Sequence, residues 1–484
     1  MKPDSSPDKT HSIDTIVARE GGLQKSLTSR KLSMIAIGGA IGTGLFLGSG
    51  FAISTAGPSV LVSYAIGALI ALALMGCLAE MTVAHPTTGS FGAYAEQYVG
   101  PLVGYLVRYL YWAGTVLGVG SEITAIALYM KFWFPAQPGW LWIVLFSGTL
   151  IAVNASSVNS FGSVEYWFSF VKVAAIIVFI VLAAYLVFLA PANQLHGAAT
   201  AGFHNYTAAG GFFPHGFGGT WMATIMAVFS YFSIEMIAVA AGEAAEPQVA
   251  IVRAFRSTVF RLVAFYLLTL VLMLAVVPWS QAGSSESPFV TVMRTLHIPA
   301  AAGIMNLVVL IAALSAMNSQ LYVTTRMLFS MSRAGHAPRR LSRLTSSGIP
   351  LGALWVSSSG IAVAAVVNVV WPGQAFLPMV AISCFGPLFT WMMIFVTHYF
   401  FRRQRDADGH AAAGFRMWGF PFTTLLGAAL MVALLITTLF TPAFRMTLLF
   451  GLPLVAGLTV LYGFQRPRPP DIASTARGER RESG

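Results

Sequence analysis

The chain has 484 residues, 56% hydrophobic and only 9% charged, with 28 basic and 17 acidic side chains and a net charge of +11. Soluble domains carry about 25% charged residues, whereas residues 32–79, 173–234 and 344–401 contain no Asp, Glu, Lys or Arg at all. A soluble enzyme, a nucleic-acid binder and a disordered scaffold are excluded, and the chain reads as an all-α polytopic membrane protein.

The first 30 residues are polar and lack the apolar core of a signal peptide, so they read as a cytoplasmic tail. Apolar runs separated by charged or Pro/Gly-rich breaks then predict twelve spans. Their limits are 33–55, 59–82, 102–134, 140–158, 165–189, 219–241, 256–279, 300–330, 351–370, 376–400, 418–440 and 445–464. Lipid offers the backbone no hydrogen-bond partners and the runs exceed strand length, so the spans are helices. Residues 82–100 read as a short amphipathic helix near the cytoplasmic surface, residues 31–465 as one twelve-helix membrane domain, and residues 466–484 as a second tail. No loop is long enough to form a soluble domain.

Of the 28 Lys and Arg residues, 23 lie in the tails and in loops on the same side as the termini. Only Lys131, Arg294 and Arg445 lie on the opposite side. Basic loops stay inside, which predicts cytoplasmic termini and a cell (inner) membrane location. The positive surplus is topology, with no aromatic interleaving to suggest nucleic acid. Cys77 and Cys384 lie in apolar runs, which argues against a disulfide framework or a metal site.

Two features break the membrane pattern. The first span carries Gly38-Gly39-Ala40-Ile41-Gly42-Thr43-Gly44, although glycine costs a helix about 1 kcal/mol relative to alanine. Close helix packing is one reading, since Gly38/Gly42 and Gly44/Gly48 have small-xxx-small spacing. A discontinuous helix exposing a binding site at the midplane is the other, and the density of glycine at mid-span favours it. The second feature is the ionisable residues inside spans: Glu122 in the third, Lys172 in the fifth and Glu235 in the sixth. A charge at the bilayer centre costs at least about 2.5–3.5 kcal/mol on insertion scales and marks a functional site by default. Lys172 falls seven residues into its span, a depth also compatible with snorkelling. Glu80 and Glu165 lie near span ends and read as structural. Around Glu235 the sequence Phe229-Ser230-Tyr231-Phe232-Ser233-Ile234 suggests a polar cavity rather than packing alone.

At these residues the chain resembles the amino acid permeases of the amino acid–polyamine–organocation superfamily, specifically the bacterial amino acid transporter family. The likeness runs from Leu27 to the twelfth span. It rests on the glycine segment through Phe46, on Ala79-Glu80-Met81, on Pro86 through Gly89 to Tyr94, and on Trp167-Phe168 through Lys172-Val173. Further anchors are the stretch from Glu235 to Pro247, Ser287-Pro288-Phe289, and Leu314-Ser315-Ala316-Met317-Asn318-Ser319.

The resemblance implies a leucine-transporter-type fold. Two inverted five-helix repeats (about 31–189 and 217–401) would be followed by helices eleven and twelve (about 418–464). It implies an amino acid substrate whose carboxylate meets the amides of Thr43 and Gly44, as suits a helix N-terminus. The ammonium group would meet carbonyls of Gly39, Ala40, Phe229 and Phe232, with Phe229 also gating the site. Ser230, Tyr231 and Glu122 would shape the side-chain pocket. Lys172 matches a lysine that stands in for sodium in proton-coupled relatives, bridging span one near Gly38 to span eight near Ser315. Proton symport follows as the expected energy source, with Glu122 and Glu235 as further participants. Ser233 departs from the family pattern, which has glycine there.

No Gly-Lys pair occurs, so a Walker-type nucleotide site is not expected, nor is any cofactor. An amino acid exchanger is the alternative within transport, with pocket aromatics favouring a neutral substrate. A polytopic enzyme fits poorly, for the chain has no HExxH and no Gly-x-Ser-x-Gly elbow. An ion channel fits poorly too, since no selectivity-filter pattern occurs.

Overall fold

A computed structural model describes residues 13–20, 40–87, 89–189, 201–240, 247–282, 286–295, 300–407 and 414–464. Gly38 and Gly39, the stretch 241–246 and the C-terminal tail lie outside the described residues. Among the described residues every regular element is helical, as a chain with this little polar surface in lipid requires.

Helix α1 (Ile13–Glu20) lies within the segment expected to be a plain tail. Ile16 is buried and Ile13 partly so, one turn apart, and this apolar pair docks the helix on the bundle. Next comes a π-helical turn, Gly44–Gly48, leading into α2 (Ser49–Ala56), then α3 (Val60–Ala84), α4 (Ser90–Tyr98) and α5 (Pro101–Met130). Helix α4 is the short element expected between residues 82 and 100. Helices α6 (Gly139–Ser156) and α7 (Val158–Phe188) complete the first half. The second half holds α8 (Gly216–Tyr231), α9 (Met236–Ala240), α10 (Pro247–Val276), α11 (Trp279–Ala282), α12 (Pro288–Thr295) and α13 (Ala301–Arg333). Helices α14 (Leu351–Ser357), α15 (Ser359–Val370), α16 (Phe376–Ala407), α17 (Phe422–Phe440) and α18 (Arg445–Phe464) follow.

Among the described residues ten helical segments are long and apolar enough to cross a membrane, the first being Gly44–Ala84, and a shorter apolar helix runs Leu262–Val276. The protein is therefore a multi-pass membrane protein. Its layers follow from which faces can meet lipid. The apolar stretches of α5 and of α8–α9 are 89% buried in the protein, whereas that of the last span is 17% buried. Helix α5 forms the axis, packed against α13, α15 and α16. Glycines permit the close approaches: a Cβ on Gly386 would sit 2.0 Å from the Leu110 carbonyl oxygen, and one on Gly360 would sit 1.9 Å from that of Val116.

The fifth span begins earlier than expected. Helix α7 starts at Val158 with Ser157 as its cap, the Ser157 hydroxyl accepting from the Ser160 amide at 3.0 Å. Lys172 therefore lies about 21 Å along the helix rather than about 10 Å.

Candidate functional site

The two anomalous segments both leave helical geometry. The chain unwinds at Ile41 and Gly42 and restarts with the Phe46 amide donating to the Gly42 carbonyl at 3.4 Å. The amides of Thr43 and Gly44 belong to that opening turn, where a helix has unpaired donors. Facing it, α8 ends at Tyr231, residues 232–235 form a turn, and α9 resumes at Met236. Ser233 has φ 77°, a left-handed conformation that favours glycine.

The first span is both interrupted and closely packed at its glycines. A Cβ on Gly44 would lie 2.7 Å from Ser230 Cα, and one on Gly48 would lie 2.6 Å from Met226 Sδ, so these two seat the first span on α8. Gly42 stands in the break itself, where a Cβ would meet Ala316 Cβ at 2.8 Å and Glu122 Oε1 at 3.0 Å. Tyr266 of α10 ties the interruptions together: its hydroxyl lies 2.8 Å from the Ala40 carbonyl and 3.0 Å from the Ser230 carbonyl. The Ser230 hydroxyl donates to Met226 O at 3.0 Å and meets Tyr64 Oη at 2.9 Å.

Between the breaks lies a cavity of about 40 Å³, room for a few waters. Of the residues expected at a site, Ala40, Gly44, Phe229, Ser230, Phe232, Glu122 and Glu235 line it. Thr43 stands beside it, its amide pointing to Glu122 Oε2 at 3.4 Å. The cavity wall also holds Thr115, Gly118, Gln320 and Ser383, which sequence reasoning missed. They are ordinary polar or small residues in apolar helices, and only the folded arrangement turns them inward.

Lys172 is set apart from the cavity, behind the first-span break. It is fully buried and does not snorkel: Nζ donates to the Ile41 carbonyl at 2.9 Å and to Ser315 Oγ at 2.8 Å. Its span-eight end is Ser315, as the resemblance implies, and its span-one end is Ile41, whereas Gly38 lies outside the described residues. Glu165, one of the two acids read as structural, closes the far side of this network. It accepts from the Ser315 hydroxyl and, at 3.0 Å, from Asn318 Nδ2, which places it against the lysine's own partner. The signal that could have found it is its spacing: Glu165 and Lys172 are seven residues apart, two turns along one helix face.

Glu235 has three donors: Tyr111 Oη at 2.8 Å, Trp391 Nε1 at 3.1 Å and the Ser233 amide at 3.2 Å. It thereby fixes the turn after α8, with Phe232 packed edge-on to Trp391.

Such an arrangement, helix ends and carboxylates around a small internal cavity with a buried amine behind it, suits reversible binding of a small zwitterion. The profile of the amino acid permease family matches residues 31–462. The chain belongs to the amino acid permease family. The permease is similar to the gamma-aminobutyric acid permease of Bacillus subtilis (strain 168), 38% identical over 89% of this chain and 91% of that protein. It is 39% identical to the putative histidine permease of the same organism, over 92% of this chain and 94% of that one. The aromatic amino acid transport protein AroP of Escherichia coli O6:H1 is 34% identical over 87% and 91%. Amino acid transport across a membrane is thus the activity of this permease family member, and the family is one of transporters rather than enzymes.

Proposed function

We propose that the permease imports a neutral amino acid across the cytoplasmic membrane by proton symport with alternating access. The observation that carries this reading is the pairing of two interrupted helices around one cavity, with Lys172 strapped to the carbonyl at the first interruption. The substrate carboxylate takes the Thr43 and Gly44 amides, and its ammonium group takes carbonyls of Gly39, Ala40, Phe229 and Phe232. Ser230 and Phe232 wall the site and Phe229 gates it. Relatives named for gamma-aminobutyric acid, histidine and aromatic amino acids share 34–39% identity with the chain. Overall similarity therefore leaves the side chain open.

Coupling follows from competition for donors. Glu122 holds the Thr43 amide that the substrate carboxylate needs, so protonation of Glu122 frees that amide and binds proton and substrate together. Loss of the Lys172 proton weakens the strap between Ile41 and Ser315 and lets span one tilt. Glu235 joins the coupling by holding the second break in place.

Twelve spans arranged as two inverted five-helix repeats plus two helices agree with this reading. The segment Gly44–Ala84 is 41 residues long, about 60 Å and twice a bilayer core, and Gly57 turns it with φ 67° ahead of Pro58. Splitting it there and adding Leu262–Val276 brings the count to twelve. In this reading the broken helices open each repeat and both tails are cytoplasmic, which the distribution of basic residues supports.

Purified protein in liposomes tests the coupling. Lys172→Ala is expected to abolish uptake driven by an imposed pH gradient while leaving counterflow measurable; wild-type accumulation by the variant sinks the proposal. Counterflow that ignores the gradient in the unaltered protein points instead to exchange.

A further inference from the structure

Gln320 is a buried polar group of the cavity that the transport cycle above does not use. It sits on α13, 9% exposed, and lines the cavity. Its amide oxygen is buried with no hydrogen-bond partner in the protein. Of its neighbours on the same helix, Ser315 is committed to Lys172 and Glu165, and Asn318 to Glu165 and Asn154. Across from it the helix α5 wall is cut back, for a Cβ at Gly118 would sit 3.2 Å from Gln320 Oε1. Glycine there leaves the space into which the amide points.

The charged groups in and behind the cavity are already engaged. Glu122 meets the Thr43 amide, Glu235 has its three donors, and Lys172 is turned toward Ile41 and Ser315. The Ser383 hydroxyl donates to the Val380 carbonyl at 2.8 Å. What the wall leaves without a partner is the amide oxygen of Gln320, an acceptor on a neutral group. A buried amide oxygen is costly to leave unpaired, and a site of this kind selects a ligand that pairs it.

We propose that Gln320 reads the side chain of the cargo, and that the cargo is an uncharged amino acid carrying a hydroxyl or carboxamide there. The inference rests on the transport reading above. Chemically, the hydroxyl or carboxamide completes the hydrogen bonding of Gln320, whereas an isosteric apolar side chain leaves the amide bare. A cationic side chain meets no uncommitted carboxylate.

Near-isosteric pairs test it. Uptake of radiolabelled threonine and valine, and of asparagine and leucine, is measured in liposomes containing the full chain. The unaltered protein is expected to show a KM for the polar member at least about tenfold lower, the order of one hydrogen bond. Gln320→Leu is expected to bring each pair within about twofold, by raising the KM of the polar member with little change for the apolar one. Gln320→Glu, which keeps an acceptor, is expected to retain part of the preference. Equal or reversed preference in the unaltered protein overturns the inference, as does a preference for lysine or an unchanged ratio in Gln320→Leu. Should Gln320→Leu fail to elute as a folded monodisperse species, Gln320→Met makes the same comparison, and the unaltered ratios stand on their own. If the unaltered protein takes up none of the twenty amino acids, the transport reading itself fails and takes the inference with it.

Discussion

Ser233 bears the backbone cost of the break after α8. At φ 77° a serine occupies a region open to glycine and closed to β-branched side chains. Its amide is held by Glu235 at 3.2 Å, so surrounding structure enforces the conformation. Ser233→Val is expected to cost about 1–3 kcal/mol and to lower the thermal midpoint in detergent. Ser233→Gly is expected to leave midpoint and transport close to the unaltered values, and a Val variant as stable as the Gly variant would refute the account. The departure from glycine was visible in the sequence; that it imposes left-handed strain became visible only with the dihedral angle.

The first span and α8 form a pair of helices, each interrupted and each seated on the other. Gly44 is the contact point, because a methyl group there would meet the Ser230 backbone at 2.7 Å and backbone cannot turn aside. Gly44→Ala is expected to lose about 1–3 kcal/mol by overpacking and to depress uptake severely. Gly457→Ala on α18, where nothing lies within 4 Å, serves as the control and is expected to change neither. A Gly44→Ala protein with normal melting and uptake would show that the first span and α8 do not need this approach. Hydropathy located the fifth span but misplaced its start. Helix α7 begins at Val158 because Ser157 caps it, and a polar Asn159-Ser160 turn gives no apolar signal to mark it.

Across the whole molecule, a buried cluster joins the first half of the chain to the second. Glu80 of α3 accepts from Arg402 Nη2 at 2.8 Å and from Nε of the same guanidinium, meets His398 Nε2 at 3.1 Å, and accepts from the Met417 amide at 2.8 Å. The pair is almost wholly shielded, with side chains 4% and 8% exposed. A matched buried pair is close to neutral for stability, but removing one partner strands the other. Glu80→Gln is expected to destabilise by about 3–5 kcal/mol in thermal denaturation. Combining Glu80→Leu with Arg402→Met is expected to recover part of the loss, and strict additivity of the single changes would contradict the account. Glu96 with Arg108, at 2.9 Å, repeats the arrangement between α4 and α5.

The sequence by itself determined the class of molecule. Scarcity of charge and runs of some twenty apolar residues leave only membrane helices, because lipid offers the backbone no other partners. The glycine segment, Glu122, Lys172 and Glu235 could also be singled out, since each costs free energy that the membrane alone does not return. Tertiary structure decided what those residues touch. In the chain Glu165 reads as structural, being a Glu near a span end, and Gln320 and Tyr266 draw no notice, because a Gln or a Tyr in a long helix is unremarkable. Their significance lies in contacts with residues far away in sequence: Tyr266 with Ala40, Glu165 with Ser315, Gln320 with the space above Gly118. Local composition sets which segments are helical and buried, but the direction in which a polar side chain points is fixed by the helices packed against it.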